Sequence, residues 1–167
     1  VTVEGGEKIA EALERREANA QGSAATDADI NVEGLGGELM PYQRAAVAYA
    51  ERARRVLFGD EMGLGKTVEA LASLEHLDAF PALIICPAIV KLVWEREALK
   101  WLPKRSVEVI TGRKASRLQA DITIMNYEIV SAHAEALAAR NYRALVGDES
   151  HYLKSPKAQR TKAVAKL

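Results

Sequence analysis

Two groups of residues in this sequence have the types and spacing to handle a phosphorylated ligand. The first is the run Asp60-Glu-Met-Gly-Leu-Gly-Lys-Thr67. Gly63 and Gly65 accept backbone angles that other residues resist, so the amides of such a loop can turn inward around phosphate oxygens. Lys66 brings a compact positive charge to the outer phosphates, and Thr67 brings a hydroxyl suited to Mg2+. Asp60, Glu61, Met62 and Leu64 complete the loop. The strict phosphate-loop pattern G-x-x-x-x-G-K-[ST] asks for glycine where this chain has Asp60, so a glycine-rich turn followed by Lys-Thr is the plainer alternative. The second group is Asp148-Glu-Ser-His151, at the end of the apolar run 142–146. A Mg2+-nucleotide site needs one carboxylate on the ion and a second to orient and deprotonate a water. Asp148 and Glu149 are adjacent where a strand gives way to a loop, so both can turn to one site. A polar turn after a buried strand is the alternative when this segment is taken alone.

Elements must bring these groups together, and the hydrophobic pattern supplies them. Apolar runs at 55–58, 82–86, 107–110, 121–125 and 142–146 read as strands. Helical spacing is expected at 7–20, 42–52, 66–78, 89–101 and 127–140, with Pro41 at a first helical turn and Pro103 as a stop, while Pro87 stops the strand at 82–86. Residues 21–38, rich in Gly, Ala, Asp and Asn, read as a linker or loop. Largely apolar strands alternating with helices imply an α/β fold, a mainly parallel sheet covered on both faces. The loop at 59–65 then lies between a strand and a helix whose positive dipole end faces the phosphates. Ligands on such sheets bind beyond the carboxyl ends of the strands.

Composition narrows the class. The chain has 167 residues, 49% hydrophobic and 28% charged, which suits one ordinary domain with apolar material for a core. No run approaches the roughly 18 uninterrupted apolar residues of a membrane span, so no membrane partner is expected. The first residues are acidic and polar rather than basic then apolar, so no secretory signal is read, and the lack of an initiator Met points to a piece of something longer. One cysteine, Cys86, allows no internal disulfide. The formal net charge of zero hides a gradient, from −6 over residues 1–40 to +5 over residues 154–167. A polarised chain can present a basic face to nucleic acid, or its ends can be solvated surface.

These pieces, in their order from Leu39 to about Leu167, resemble the SNF2 family of superfamily 2 helicase-like ATPases. Leu39-Met-Pro-Tyr-Gln43 is similar to the family's Q motif, and 59–67 to its motif I (Walker A), where aspartate at the position of Asp60 is usual. Residues 83–94 with Trp101-Leu-Pro103 are similar to motif Ia, 122–128 to the strand and turn that follow, and Asp148-Glu-Ser-His-Tyr-Leu-Lys154 to motif II, a variant of the DEAH box. The resemblance implies a RecA-like ATP-binding lobe over 39–167, and the pattern read above places an acidic helix and linker over 1–38 before it. It implies ATP and Mg2+ as cofactors, adenine selection by Gln43, Mg2+ coordination by Thr67 and Asp148, water activation by Glu149 and coupling of ATP state to DNA through His151. It further implies double-stranded DNA as a partner and a second RecA-like lobe with arginine fingers, missing from this chain along with the Gly-Thr-Pro strand expected after Leu167. The lobe is thus expected to be incomplete at its C-terminal end, binding nucleotide weakly without efficient hydrolysis. Ile89 stands where the family often has serine. Ile-Cys-Pro, Val90-Lys91 and Asp-Glu-Ser-His are most similar to the annealing-helicase and fork-remodelling branch or its bacterial and phage relatives. The compartment implied is intracellular: nuclear in a eukaryote, cytoplasmic for a bacterial or phage protein.

Other chemistry-bearing residues have plainer readings. Cys86 reads as core, and His76 and His133 have no metal-spaced partners. Trp94 and Trp101 fall on one helix face and read as packing residues. Basic residues within 88–117 (Lys91, Arg96, Lys100, Lys104, Arg105, Arg113, Lys114, Arg117) form either a DNA-facing surface or an ordinary solvated one. The rival functional class is a non-catalytic ATPase-like module that binds a partner protein or DNA.

Overall fold

The computed structural model describes residues 24–59, 63–113 and 118–166, together with Glu14 and Gly22. The expected helix at 7–20 therefore lies outside the described residues, apart from Glu14, as do Asp60, Glu61, Met62, Lys114, Arg117 and Leu167.

The elements run α1 (Pro41–Ala53), α2 (Lys66–His76), β1 (Ala82–Cys86), α3 (Lys91–Trp101), β2 (Val107–Val109), β3 (Ile122–Asn126), α4 (Ala134–Arg140), β4 (Ala144–Gly147) and α5 (Gln159–Val164). Short 3-10 turns stand at Ala88–Val90, Val130–His133 and Ser150–Leu153. The four strands form one parallel sheet in the order β2-β3-β1-β4.

Every residue of β1 and β3 is buried. Alternation then divides them between two faces. Ala82, Ile84, Cys86, Ile122 and Ile124 pack with Leu71 and Leu74 of α2 and Trp94 and Ala98 of α3. Leu83, Ile85 and Met125 pack with Tyr127, Val130 and Leu137, and Ala163 and Val164 of α5 close that side. The sheet is thus covered on both faces, as expected. Cys86 is fully buried in it, and both tryptophans pack on the first cluster.

Three expectations need correction. The run 55–58 forms no strand. It has the apolar composition of a buried strand, but a strand needs a hydrogen-bonded neighbour. Residues 56–58 instead line a cleft whose other wall is β4, the edge of the sheet. Leu57 and Leu145, on opposite walls, are 78% and 46% exposed. The helix expected at 127–140 is shorter: Tyr127 and Ile129 turn into the core, and regular helix begins at Ala134. The segment read as a linker is packed on the lobe over its second half. Val32 is buried against Val47 and Ala72, with Ile30, Leu35 and Leu39 beside them. Asp27 takes a two-pronged bond from Arg44, at 2.9 and 2.8 Å. That guanidinium holds the Asp27 carboxyl below its ordinary range.

Gly36 is the tightest point of this segment. Its amide donates to the Trp101 carbonyl at 2.9 Å, and a Cβ there would collide with the Lys100 carbonyl oxygen. Because that obstacle is backbone, Gly36→Ala should destabilise the fold by about 1–3 kcal/mol, read as a lower urea midpoint with unchanged slope. An unchanged midpoint would mean the segment adds nothing to the lobe.

Candidate nucleotide site

The glycine-rich end of the candidate site is set by α2. Gly65 caps the helix with φ 85°, and its carbonyl accepts from the Val68 amide at 2.7 Å. The dihedral favours glycine, and a Cβ on Gly65 would lie 2.7 Å from Gln43 Nε2, so that side chain would have to shift. Gly63 has φ 92°. Lys66 and Thr67 thus occupy the first turn of an 11-residue helix, where the backbone dipole favours an anion.

The acidic end is set by β4. Ile85 of β1 stands opposite Gly147, and the Asp148 amide donates to the Ile85 carbonyl at 2.9 Å. The Tyr127 hydroxyl donates to the Asp148 carbonyl at 2.7 Å. On its side chain, Asp148 Oδ2 accepts from the Trp94 indole N–H at 2.8 Å. Glu149 then turns into the left-handed region, φ 54° and ψ 52°, conformations that cost a non-glycine residue of order 1 kcal/mol and cluster at functional sites. Its carboxylate lies 3.0 Å from His151 Nδ1, and the His151 ring tilts against Tyr152 at 4.9 Å. Tyr152 in turn stacks on Tyr127.

The two ends line one cleft of about 1120 Å3. Gly63, Gly65, Lys66 and Thr67 form part of its wall, and Asp148, Glu149 and His151 another. The donor set fits a Mg2+-nucleotide: an ammonium and a helix N-terminus for phosphate, a hydroxyl and a carboxylate for a hard cation. Among the described residues no three His, Cys, Asp or Glu side chains cluster to hold an ion alone.

Gln43 sits beside the loop, 6% exposed. Its Oε1 accepts from the Met40 amide at 3.0 Å, and Nε2 donates to the Leu64 carbonyl at 3.4 Å. Tyr42 Oη donates to the same carbonyl at 3.1 Å. Leu64 is therefore tied to α1 through its backbone, while the residue is 40% exposed.

The basic residues of 88–117 divide. Lys91 reaches inward to the Ile110 carbonyl and Asn126 Oδ1, both at 3.1 Å, and Arg105 pairs with Glu75 at 2.8 Å and Asp78 at 3.2 Å. Neither is spare for phosphate. Arg96 remains 71% exposed beside Glu97. His133 is buried with Nε2 3.0 Å from the Gly112 carbonyl, and His76 lies 3.3 Å from Glu51. The contact that sequence reasoning missed is Trp94 to Asp148, because helical spacing marks an apolar ring as core and says nothing of where its N–H points.

A profile of the SNF2-related domain matches residues 42–167. The chain belongs to the SNF2 family. This SNF2 domain is 38% identical over 136 residues to a Caenorhabditis elegans protein, "SWI/SNF-related matrix-associated actin-dependent regulator of chromatin subfamily A-like protein 1 homolog", covering 77% of this chain and 20% of that protein. It is 32% identical over 145 residues to the human "DNA annealing helicase and endonuclease ZRANB3", covering 80% of this chain and 13% of that one. A solved structure, "Sulfolobus solfataricus SWI2/SNF2 ATPase core in complex with dsDNA", superposes with a TM-score of 0.73 at 27% identity, covering 83% of this chain and 31% of that chain. The SNF2 domain thus has the α/β, RecA-like fold of that core and spans a fifth or less of the two curated relatives.

Two weak acids buried behind the SNF2 site give it a pH signature. Burial first, then the charge of Asp148, pushes the Cys86 thiol from 9.0 up to about 12. The same causes push the Tyr127 phenol from 10.0 up to about 12. Both folded values are raised, so the folded state holds these protons more tightly than the unfolded chain. The stability they contribute is intact below about pH 9 and is lost as pH rises toward about 12. Urea midpoints measured across that range should fall, and fall less steeply in Cys86→Ala. Equal slopes in the two proteins would contradict the burial account.

Proposed function

We propose that this chain binds Mg-ATP in the cleft between the phosphate loop and the end of β4. We further propose that it is the nucleotide-binding part of a DNA-dependent ATPase that moves along or remodels duplex DNA. The observation that carries the reading is that Lys66, Thr67, Asp148 and Glu149 line one cleft in an SNF2-family fold.

Lys66 and the amides at the start of α2 hold the outer phosphates, with Gly63, Leu64 and Gly65 shaping the loop against them. Asp60, Glu61 and Met62 belong to the same loop on the family pattern. Thr67 and Asp148 hold Mg2+, which when bound neutralises charge building on the phosphate oxygens. Glu149 accepts a proton from the water whose oxygen attacks the terminal phosphorus, while the bond to the bridging oxygen breaks. Its left-handed backbone turns it out of the strand beside Asp148. On the family pattern Gln43 selects adenine, which requires its amide, buried and bonded to Met40 and Leu64, to turn out to the cleft. His151, paired with Glu149, couples nucleotide state to DNA.

Duplex DNA as partner is supported by the solved SNF2 core, which is in complex with dsDNA, and by a relative named an annealing helicase. A chromatin setting, nuclear in a eukaryotic cell, is the reading favoured by a relative named a regulator of chromatin. On this reading a second RecA-like lobe closes over the nucleotide and supplies arginine. In related hydrolases such an arginine is worth roughly 10³–10⁵ in turnover, so the present chain should bind nucleotide weakly and hydrolyse it slowly.

Calorimetry and phosphate release, with and without duplex DNA, test this. Lys66→Ala should weaken Mg-ATP binding at least tenfold, on the order of 1.4 kcal/mol. Glu149→Gln should keep binding and abolish residual turnover. No Mg-ATP binding by the unmodified chain would overturn the reading and favour a non-catalytic module. Fast DNA-stimulated turnover that vanishes in Lys66→Ala would overturn only the need for a second lobe.

A further inference from the structure

The Trp94 ring belongs to the core, but its N–H does not behave as a core group. Trp94 is 4% exposed, and its carbon surface packs with α2 and the sheet. The indole carries one polar atom, which can only donate and which burial obliges to find an acceptor. It finds Asp148 Oδ2 at 2.8 Å, within the range of a charge-assisted bond.

The rest of Asp148 is held by backbone alone. Its amide is fixed to Ile85 of β1 and its carbonyl to the Tyr127 hydroxyl. Those contacts set where the residue sits but leave the torsions of its side chain open. Among the described residues, Trp94 is the one side chain bonded to the carboxylate. The helix that carries it is itself pinned: Lys91, one turn earlier, reaches the ends of β2 and β3 at Ile110 and Asn126. The indole therefore stands at a fixed place relative to the carboxyl edge of the sheet.

We propose that Trp94 is a positioning residue for the metal-binding carboxylate, holding one oxygen of Asp148 so that the group is already oriented when Mg2+ and nucleotide arrive. The inference rests on the nucleotide reading above for its consequence, though not for the contact itself. A small cation with near-octahedral demands tolerates little error in oxygen placement, and removing a partner that orients a ligand usually lowers metal affinity 10–100-fold. Phenylalanine at this position would retain much of the packing and leave the carboxylate free to rotate.

The chain has two tryptophans, so a nitrogen-15 correlation spectrum of the folded protein should show two indole N–H signals. Trp101→Phe assigns them. Asp148→Ala should shift the Trp94 indole signal and leave that of Trp101 in place. An unmoved Trp94 signal would overturn the contact, and this arm does not depend on nucleotide binding. The second arm measures ATP affinity with Mg2+ and with chelator. Trp94→Phe should reduce the Mg2+-dependent gain about tenfold while changing Mg2+-free affinity less than about twofold. Trp101→Phe, on the same helix, should leave both unchanged. Equal loss with and without Mg2+ would make Trp94 a packing residue only, and no loss in either would deny it the role. An unmodified protein that binds ATP but gains nothing from Mg2+ would overturn the metal role of Asp148. One that binds no ATP at all would overturn the nucleotide reading, with the indole shift still deciding the contact.

Discussion

The hydrogen bond from the Asp148 amide to the Ile85 carbonyl marks where the sheet ends and the site begins. It extends the parallel register of β1 and β4 by one step, beyond the pairing of Ile85 with Gly147. Parallel strands share a direction, so the end of β4 lies on the same edge as the ends of β1, β2 and β3. β1 is buried on both faces, which fixes its register firmly: a slip of one residue would exchange its two packed surfaces. The rigidity of a hydrophobic strand thus becomes the placement of a carboxylate. Lys66 and Thr67 are set independently, by a helix whose Leu71 and Leu74 pack on one face of that sheet.

Around Asp148 the structure concentrates its polar economy. The backbone amide, backbone carbonyl and side chain each have a partner, from β1, Tyr127 and Trp94 respectively. Tyr127 continues through its stack on Tyr152 to the His151 ring, and from there to Glu149. A group bonded on several sides in a partly buried place holds its geometry without the ligand, which is what an electrostatic site requires. The strained backbone of Glu149 sits inside this bonded frame, where neighbouring contacts can hold it.

Much of this was legible in the sequence. Ile84 and its neighbours form an unbroken apolar run, so β1 and the two-sided burial of the sheet could be read directly. Gly65-Lys-Thr67 and Asp148-Glu149 stood out by residue type, and both groups line the one cleft. What could not be read depended on neighbours rather than on local pattern. Residues 55–58 have the composition of a strand but no paired strand beside them among the described residues, because composition does not reveal whether a hydrogen-bonding edge is available. Val32 lies in a stretch of glycine, alanine, aspartate and asparagine with no period, yet it is buried by Val47 and Ala72. Lys91 and Arg105 counted toward a basic surface until their carbonyl and carboxylate partners appeared. Trp94 was correctly read as core by its spacing, and spacing carries no information about its N–H.

The central claim is that the phosphate loop and the end of β4 converge on one metal–nucleotide site. Substituting Mn2+ for Mg2+ in the presence of ATP tests it most directly, because the paramagnetic ion broadens nuclear resonances close to it. The account predicts that amide signals of Thr67, Asp148 and Glu149 disappear together on adding Mn-ATP, while those of Val107 and Leu118, away from the cleft, persist. Broadening at the loop without broadening at Asp148, or the reverse, would show that the two groups do not share an ion and would contradict the account.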